Sequence, residues 1–230
     1  MFLQKSTHGC FAVYAKPQKS LIKETLKKVK ALHKNLTFKQ YKAIDLSLFA
    51  IILVVLEGII VTLSNTLINV NFTVTITYLI ISLVIIRWGA WGAIHCVFSG
   101  LTFAIASKGD IGQIISFAAG NLFALTSIIY LKLIGKEKVR NSFSLSSLFV
   151  VIIYLMTAIG RGAMLAVIKQ ANFFGLVSAT LTTDILSLTV TLIITFFIRK
   201  QDGLFEDQKA YLIRTQKERE KSLSGVDGED

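Results

Sequence analysis

The stretch AIDLSLFAIILVVLEGIIVTLSN, residues 43–65, decides how the whole chain is read. It carries charge only at Asp45 and Glu57. About 20 apolar residues in a helix, rising 1.5 Å each, are what it takes to cross a hydrocarbon core of about 30 Å. Backbone hydrogen-bonding groups cannot face lipid unsatisfied, so a helix is the natural form for such a stretch. It is too long for the apolar core of a signal peptide and has no obvious cleavage site, so it is expected to stay as a span.

The same pattern recurs along the chain. Five further spans are expected over Phe72–Ile86, Trp88–Ser107, Ile111–Ile134, Leu145–Ile168 and Phe174–Ile198, the first of these being the shortest. The fold class expected is therefore an all-α integral membrane protein of six transmembrane helices. Composition agrees: of the 230 residues 53% are hydrophobic and 17% charged, and the mean hydropathy is +0.63. A soluble domain carries about a quarter charged residues.

The charges that exist are segregated. Residues 1–42 hold ten lysines and one acid, Glu24. Basic residues in short loops stay on the cytoplasmic side. On that rule 22 of the Lys and Arg residues fall inside and two, Lys108 and Lys169, outside, with Arg161 left in a span. Both termini are thus expected in the cytoplasm and the location is the cell membrane. The net charge of +11 reflects this flanking and attraction to anionic lipid. It does not indicate a nucleic-acid surface, which would need folded water-facing area.

Three regions follow. Residues 1–42 form a basic arm in which Ile22, Leu26, Val29 and Leu36 recur near helical spacing, as in a surface helix. The alternative is a disordered arm. Residues 43–200 hold the spans. Residues 201–230 form a mixed-charge tail that opens with a short helix and ends in Gly, Ser and acids.

Ionisable residues inside spans cost roughly 2.5–3.5 kcal/mol on insertion scales and tend to mark functional sites. Three occur here. Glu57 lies about 21 Å above the cytoplasmic edge of the first span, Arg161 about 24 Å up the fifth, and Asp184 about 15 Å below the outer edge of the sixth. All three therefore converge on the central and outer layers. The spacing predicts a polar pocket opening outward, in which Arg161 binds an anionic or carbonyl group and Glu57 or Asp184 an amine or hydroxyl. The competing reading is a buried Arg161–carboxylate pair that locks helices together. Asn121, Thr180, Thr182 and Thr183 extend the layer, although such residues commonly bond to backbone or across helices. His95 lies below it and is expected to be structural.

No HExxH, CxxC or paired-carboxylate spacing points to a metal, and no cofactor is expected. Cys10 and Cys96 have no spacing or setting that favours a disulfide. Gly160-Arg161-Gly162 lacks a serine nucleophile with a histidine partner. There is no P-loop motif, so no ATP hydrolysis by that route is expected. Ala43 and Ser47 make a small-xxx-small pair with Ala50 nearby, suited to close approach of another helix. Gly89, Ala90, Gly92, Ala93 and Gly100 give the third span a smooth side, and Trp88 and Trp91 beside Arg87 read as interfacial anchors.

These features together resemble the S component of an energy-coupling factor (ECF) transporter. The resemblance spans about residues 40–200 and rests on size, six helices with inside termini, the basic arm, the Ala43/Ser47 pair and the segment RWGAWGAI at 87–94. It implies a non-enzymatic subunit that captures a vitamin or similar micronutrient near the outer face. Helices four to six and the loops after the first, third and fifth would enclose the solute. It also implies docking on a shared transmembrane subunit, through an AxxxA-type face at Ala43, Ser47 and Ala50, with Ser47 in place of the second alanine, and two partner ATPases. By position Asn121, Arg161 and Asp184, with Thr183, fall on the enclosing helices, and Glu57 reaches the same level. Two other readings compete. One is a stand-alone secondary transporter relaying protons through Glu57 or Asp184, against which an expected lack of Gly- or Pro-broken helices counts. The other is a membrane scaffold or immunity-type protein without a ligand.

Overall fold

The computed structural model describes residues 37–67, 73–201 and 203–224, and the described residues are mostly helical, with no strand among them. The surface helix expected from Ile22 to Leu36 lies outside the described residues. Residues 1–45 and 46–230 form two compact units. The described part of the first unit opens helix α1 (Phe38–Leu67), five residues earlier than the apolar stretch alone suggested. A capping box sets that start. The Gln40 amide donates to Thr37 Oγ1 at 3.3 Å while Gln40 Oε1 accepts from the Thr37 amide at 3.0 Å.

Within the second unit the elements follow as α2 (Thr77–Trp88), a 3₁₀ turn at Gly89–Trp91, α3 (Gly92–Ala106), α4 (Ile111–Gly120), a 3₁₀ stretch at Asn121–Thr126, α5 (Ser127–Ile134) and α6 (Lys136–Asn141). Then come α7 (Phe143–Lys169), α8 (Phe173–Thr183), α9 (Ile185–Ile198) and α10 (Gln208–Ser224). By length and composition four helical runs can cross a membrane, Phe38–Thr66, Thr77–Ala106, Ile111–Ile134 and Phe143–Lys169, and α8 with α9 makes a fifth. The run Thr77–Ala106 is not a straight rod. Gly89 takes φ +61°, and a Cβ built on Gly92 would lie 3.7 Å from the Ile85 Cα. Seven residues along a straight helix span about 10.5 Å, so the chain folds back here.

The burial pattern is that of a bundle with an apolar exterior. On α1, Leu46, Phe49, Leu53, Glu57, Val61 and Ser64 are buried at three- and four-residue spacing, while Leu48, Ile51, Val55 and Ile59 are exposed. On α9 the buried positions are Ser187, Thr191 and Thr195, and the exposed ones are Ile185, Leu186, Val190, Ile193, Phe196 and Phe197. Polar residues facing inward and large apolar ones facing outward reverse the arrangement of a water-soluble helix, and suit lipid as the surrounding medium.

Close helix contact in the middle of the bundle depends on missing side chains. A Cβ on Gly120 would lie 2.6 Å from both the Arg161 Cα and its amide nitrogen, one on Gly160 would collide with the Gly120 carbonyl, and one on Gly100 with the Phe117 carbonyl. Helices α3, α4 and α7 therefore touch backbone to backbone. The smooth side expected of the third span at Gly100 is used in this way.

At one end of the bundle the basic residues meet the tail. Arg87 donates to the Gly203 and Leu204 carbonyls, Arg140 pairs with Glu206, Lys136 with Asp207, and Arg199 Nη1 donates to the Asn141 carbonyl at 3.1 Å. Phe205 is wholly buried among them. At the other end Lys169 pairs with Asp110 at 2.8 Å, and Asp110 with Gln113 forms the capping box of α4.

Candidate functional site

Two differences from the expected spans build the site. Helix α2 starts at Thr77 rather than Phe72, and residues 73–76 before it are not helical. The sixth span is broken, with α8 and α9 meeting at 49° and Asp184 at the joint. The expected absence of broken helices is thereby corrected. No proline was needed: at the first break Glu57 and Ser187 take the Ile76 and Thr75 amides, and at the second the Asp184 amide keeps the Thr180 carbonyl.

The alternating threonines at 73, 75 and 77 explain the first break. Thr75 Oγ1 and Thr77 Oγ1, the latter at 3.0 Å, both donate to Glu57 Oε1, and the Ile76 amide donates to Glu57 Oε2 at 2.8 Å. The first amides of α2 have no partner within their own helix, and Glu57, arriving from α1, supplies one. A carboxylate here also meets the positive end of the helix dipole. The carboxylate of Glu57 is therefore occupied by α2 and does not touch Arg161.

Arg161 and Asp184 do meet. Arg161 Nη1 lies 3.0 Å from Asp184 Oδ2, and Asp184 also accepts from Tyr78 OH and Thr73 Oγ1. Behind the guanidinium, Nε donates to Asn121 Oδ1 at 2.7 Å, Asn121 Nδ2 donates to Ser99 Oγ at 2.8 Å, and Ser99 donates to the Cys96 carbonyl at 2.9 Å. The guanidinium carbon sits 4.9 Å from the Phe117 ring centre, 5.3 Å from Phe103 and 6.0 Å from Tyr78. Those aromatic faces attract a cation and keep water away from it. Arg161 is 1% exposed and Asp184 2%, so the pair is closed off from solvent. One nitrogen is left over: Arg161 Nη2 is buried without a hydrogen-bond partner. An unsatisfied buried donor costs about 1–3 kcal/mol, more on a charged group.

The structure thus joins Arg161, Asp184 and Asn121 into one network and places Glu57 in a second, adjoining cluster across the Thr73–Tyr78 segment. Thr183 joins at the edge: its carbonyl accepts from the Thr73 amide at 3.0 Å, and its hydroxyl lies 3.2 Å from the Thr180 carbonyl and 3.4 Å from Asp184 Oδ1. Shallow open hollows lie along α10, beside Ala210, Ile213, Arg214, Lys217 and Glu218, away from this network. Ala43 and Ser47 are exposed and Ala50 is half-buried. His95 Nε2 lies 3.0 Å from the Leu46 carbonyl oxygen, a structural contact. No group of three or more metal-ligating side chains occurs among the described residues.

Tyr78, Thr73, Thr75, Thr77, Ser99 and the aromatic walls Phe103 and Phe117 were not singled out from sequence. A signal for the threonines was present, because a period of two does not suit a helix face. Ser99 and the phenylalanines look like any other span residues until the helices are brought together.

Against family models, curated proteins and solved structures the chain finds no match. The fold and the site define a helical bundle with four or five segments long and apolar enough to cross a membrane, built around a buried arginine–aspartate pair.

Proposed function

We propose that this chain is a multi-pass protein of the cell membrane that captures a small water-soluble micronutrient, acting as the substrate-binding subunit of an ECF-type importer and catalysing no reaction itself. It has six spans, with both termini in the cytoplasm. Six rests on the apolar runs of the sequence, and the fold-back at Gly89–Trp91 falls at the boundary expected between the second and third. The orientation rests on the distribution of Lys and Arg.

The observation that carries the reading is Arg161. Its guanidinium is buried in the middle of the bundle with Nη2 unpartnered, and an ionisable side chain inside a span marks a functional site by default. A small solute needs a few placed polar groups in an otherwise apolar setting, and Arg161, Tyr78, Thr73 and Asn121 among Phe103 and Phe117 supply them. In the importer reading the exposed Ala43 and Ser47 belong to the contact with the shared transmembrane subunit, and two ATPases provide the energy.

A second reading is favoured by one feature, the break at Asp184. Discontinuous helices at the binding level are common in secondary transporters, where a stand-alone chain would couple to protons. Affinity purification of the full chain from its native membranes in mild detergent separates the two. The importer subunit should bring down one membrane protein and two ATPases in fixed ratio. Recovery of the chain alone, with proton-gradient-driven uptake into vesicles containing nothing else, would reject the importer assignment.

A further inference from the structure

We infer that the solute carries a single carboxylate, and that the Asp184 carboxylate occupies the seat of that group. The inference rests on the capture reading above and adds the chemical class of what is captured.

Three donors from separate parts of the chain converge on Asp184: Thr73 Oγ1 from the segment before α2, Tyr78 OH from α2 and Arg161 Nη1 from α7. A carboxylate offers about four lone-pair sites, so this set is a receptor for one. Its orientation is fixed from behind, since the Asn121–Ser99–Cys96 chain holds Arg161 Nε, and Nη1 reaches the aspartate. The fit of Asp184 is incomplete. An arginine fork normally grips a carboxylate through two parallel bonds, and here Asp184 takes Nη1 while Nη2 has none.

The tether explains the shortfall. Asp184 is tied to the α8–α9 joint, where its amide donates to the Thr180 carbonyl at 3.0 Å and its carbonyl accepts from the Leu188 amide at 3.1 Å. A carboxylate arriving on a free solute has no such restraint and can take both Nη groups together with the Tyr78 and Thr73 hydroxyls. The joint itself, bent by 49°, is the element on which Asp184 can swing aside.

Charge selects the same class. One guanidinium compensates one negative charge, and Glu57 stands just across the Thr73–Tyr78 segment. With Asp184 swung aside, one incoming carboxylate adds a single negative charge to the low-dielectric layer whereas a phosphate dianion adds two, and a neutral carbonyl would leave donors unfilled.

The test compares wild type, Asp184→Asn, Arg161→Gln and Arg161→Lys as full chains purified into lipid nanodiscs. Solutes are released by denaturation and weighed by mass spectrometry, and acid groups are revealed by the mass shift on carbodiimide coupling to an amine. Asp184→Asn removes the resident competitor at nearly constant shape, so it should retain about tenfold more acid through the same wash. Arg161→Gln should retain none. Arg161→Lys, which keeps the charge but not the fork, should retain less than wild type while eluting as a folded species.

A released solute without an acid group overturns the inference. So does a loss in Asp184→Asn that matches the loss in Arg161→Gln, as a simple helix lock would give. Either result leaves solute capture standing, whereas release of nothing by any of the four proteins would reject capture itself.

Discussion

Replacing Gly120 by alanine tests the packing that aims Arg161. The added Cβ would lie 2.6 Å from the Arg161 Cα, and ordinary contact begins at 3.4 Å, so the α4 and α7 backbones must part by about 0.8 Å. Asn121 follows Gly120 directly, and its bond to Arg161 Nε would stretch from 2.7 Å to about 3.5 Å, the limit of a hydrogen bond. Overpacking costs about 1–3 kcal/mol, and the upper end applies because the clashing atoms are backbone and cannot rotate away. Alanine returns about 1 kcal/mol of helix propensity. The net loss is about 2 kcal/mol, or roughly 4–8 °C in Tm for a chain of this size. Gly58→Ala is the control, since its nearest new neighbour is Thr102 Cγ2 at 4.0 Å. The assay is thermal loss of the monodisperse peak in detergent. A Gly120→Ala protein as stable as Gly58→Ala would refute the claim that backbone contact at this glycine holds the arginine in place.

Thr75→Val keeps the shape but removes the hydroxyl that donates to Glu57 and accepts from the Thr77 amide, and it should cost about 1–3 kcal/mol in SDS-titration unfolding. The cost should shrink in a Glu57→Leu background, and strictly additive effects would disprove the coupling. At the tail, burial works against the Asp207 carboxylate, but the hydrogen bond from Lys136 and the amides of Ala210 and Lys209 outweigh it and leave the pKa lowered. A pKa depressed on folding contributes stability above the unfolded value of about 3.9 that is lost as pH falls through the folded value. The Tm difference between wild type and Asp207→Asn should therefore be constant from neutral pH to about pH 5 and vanish in stronger acid. A gap that persists below both values would rule the tether out.

Much of the bundle could be read from hydropathy alone. The apolar runs around residues 43–65, 111–134 and 145–168 became helices close to their expected limits, because lipid leaves a backbone no other way to satisfy itself. The two places where the expected spans differ are both places where a buried carboxylate gathers hydroxyls from distant residues. Thr75 and Thr77 with Glu57 hold back the start of α2, and Tyr78 and Thr73 with Asp184 occupy the joint of α8 and α9. Those partners lie as far as 111 residues away in sequence, beyond the reach of any local period.

The same division applies to the site. Sequence by itself led to the expectation of a common depth for Glu57, Arg161 and Asp184, since helix rise converts residue count into height. Only the tertiary structure decided that Arg161 takes Asp184 and Asn121 while Glu57 caps α2, and that one guanidinium nitrogen is left over. Depth depends on one helix at a time, whereas pairing depends on how each helix is rotated about its axis. That rotation was set by glycines 100, 120 and 160, which let three backbones touch.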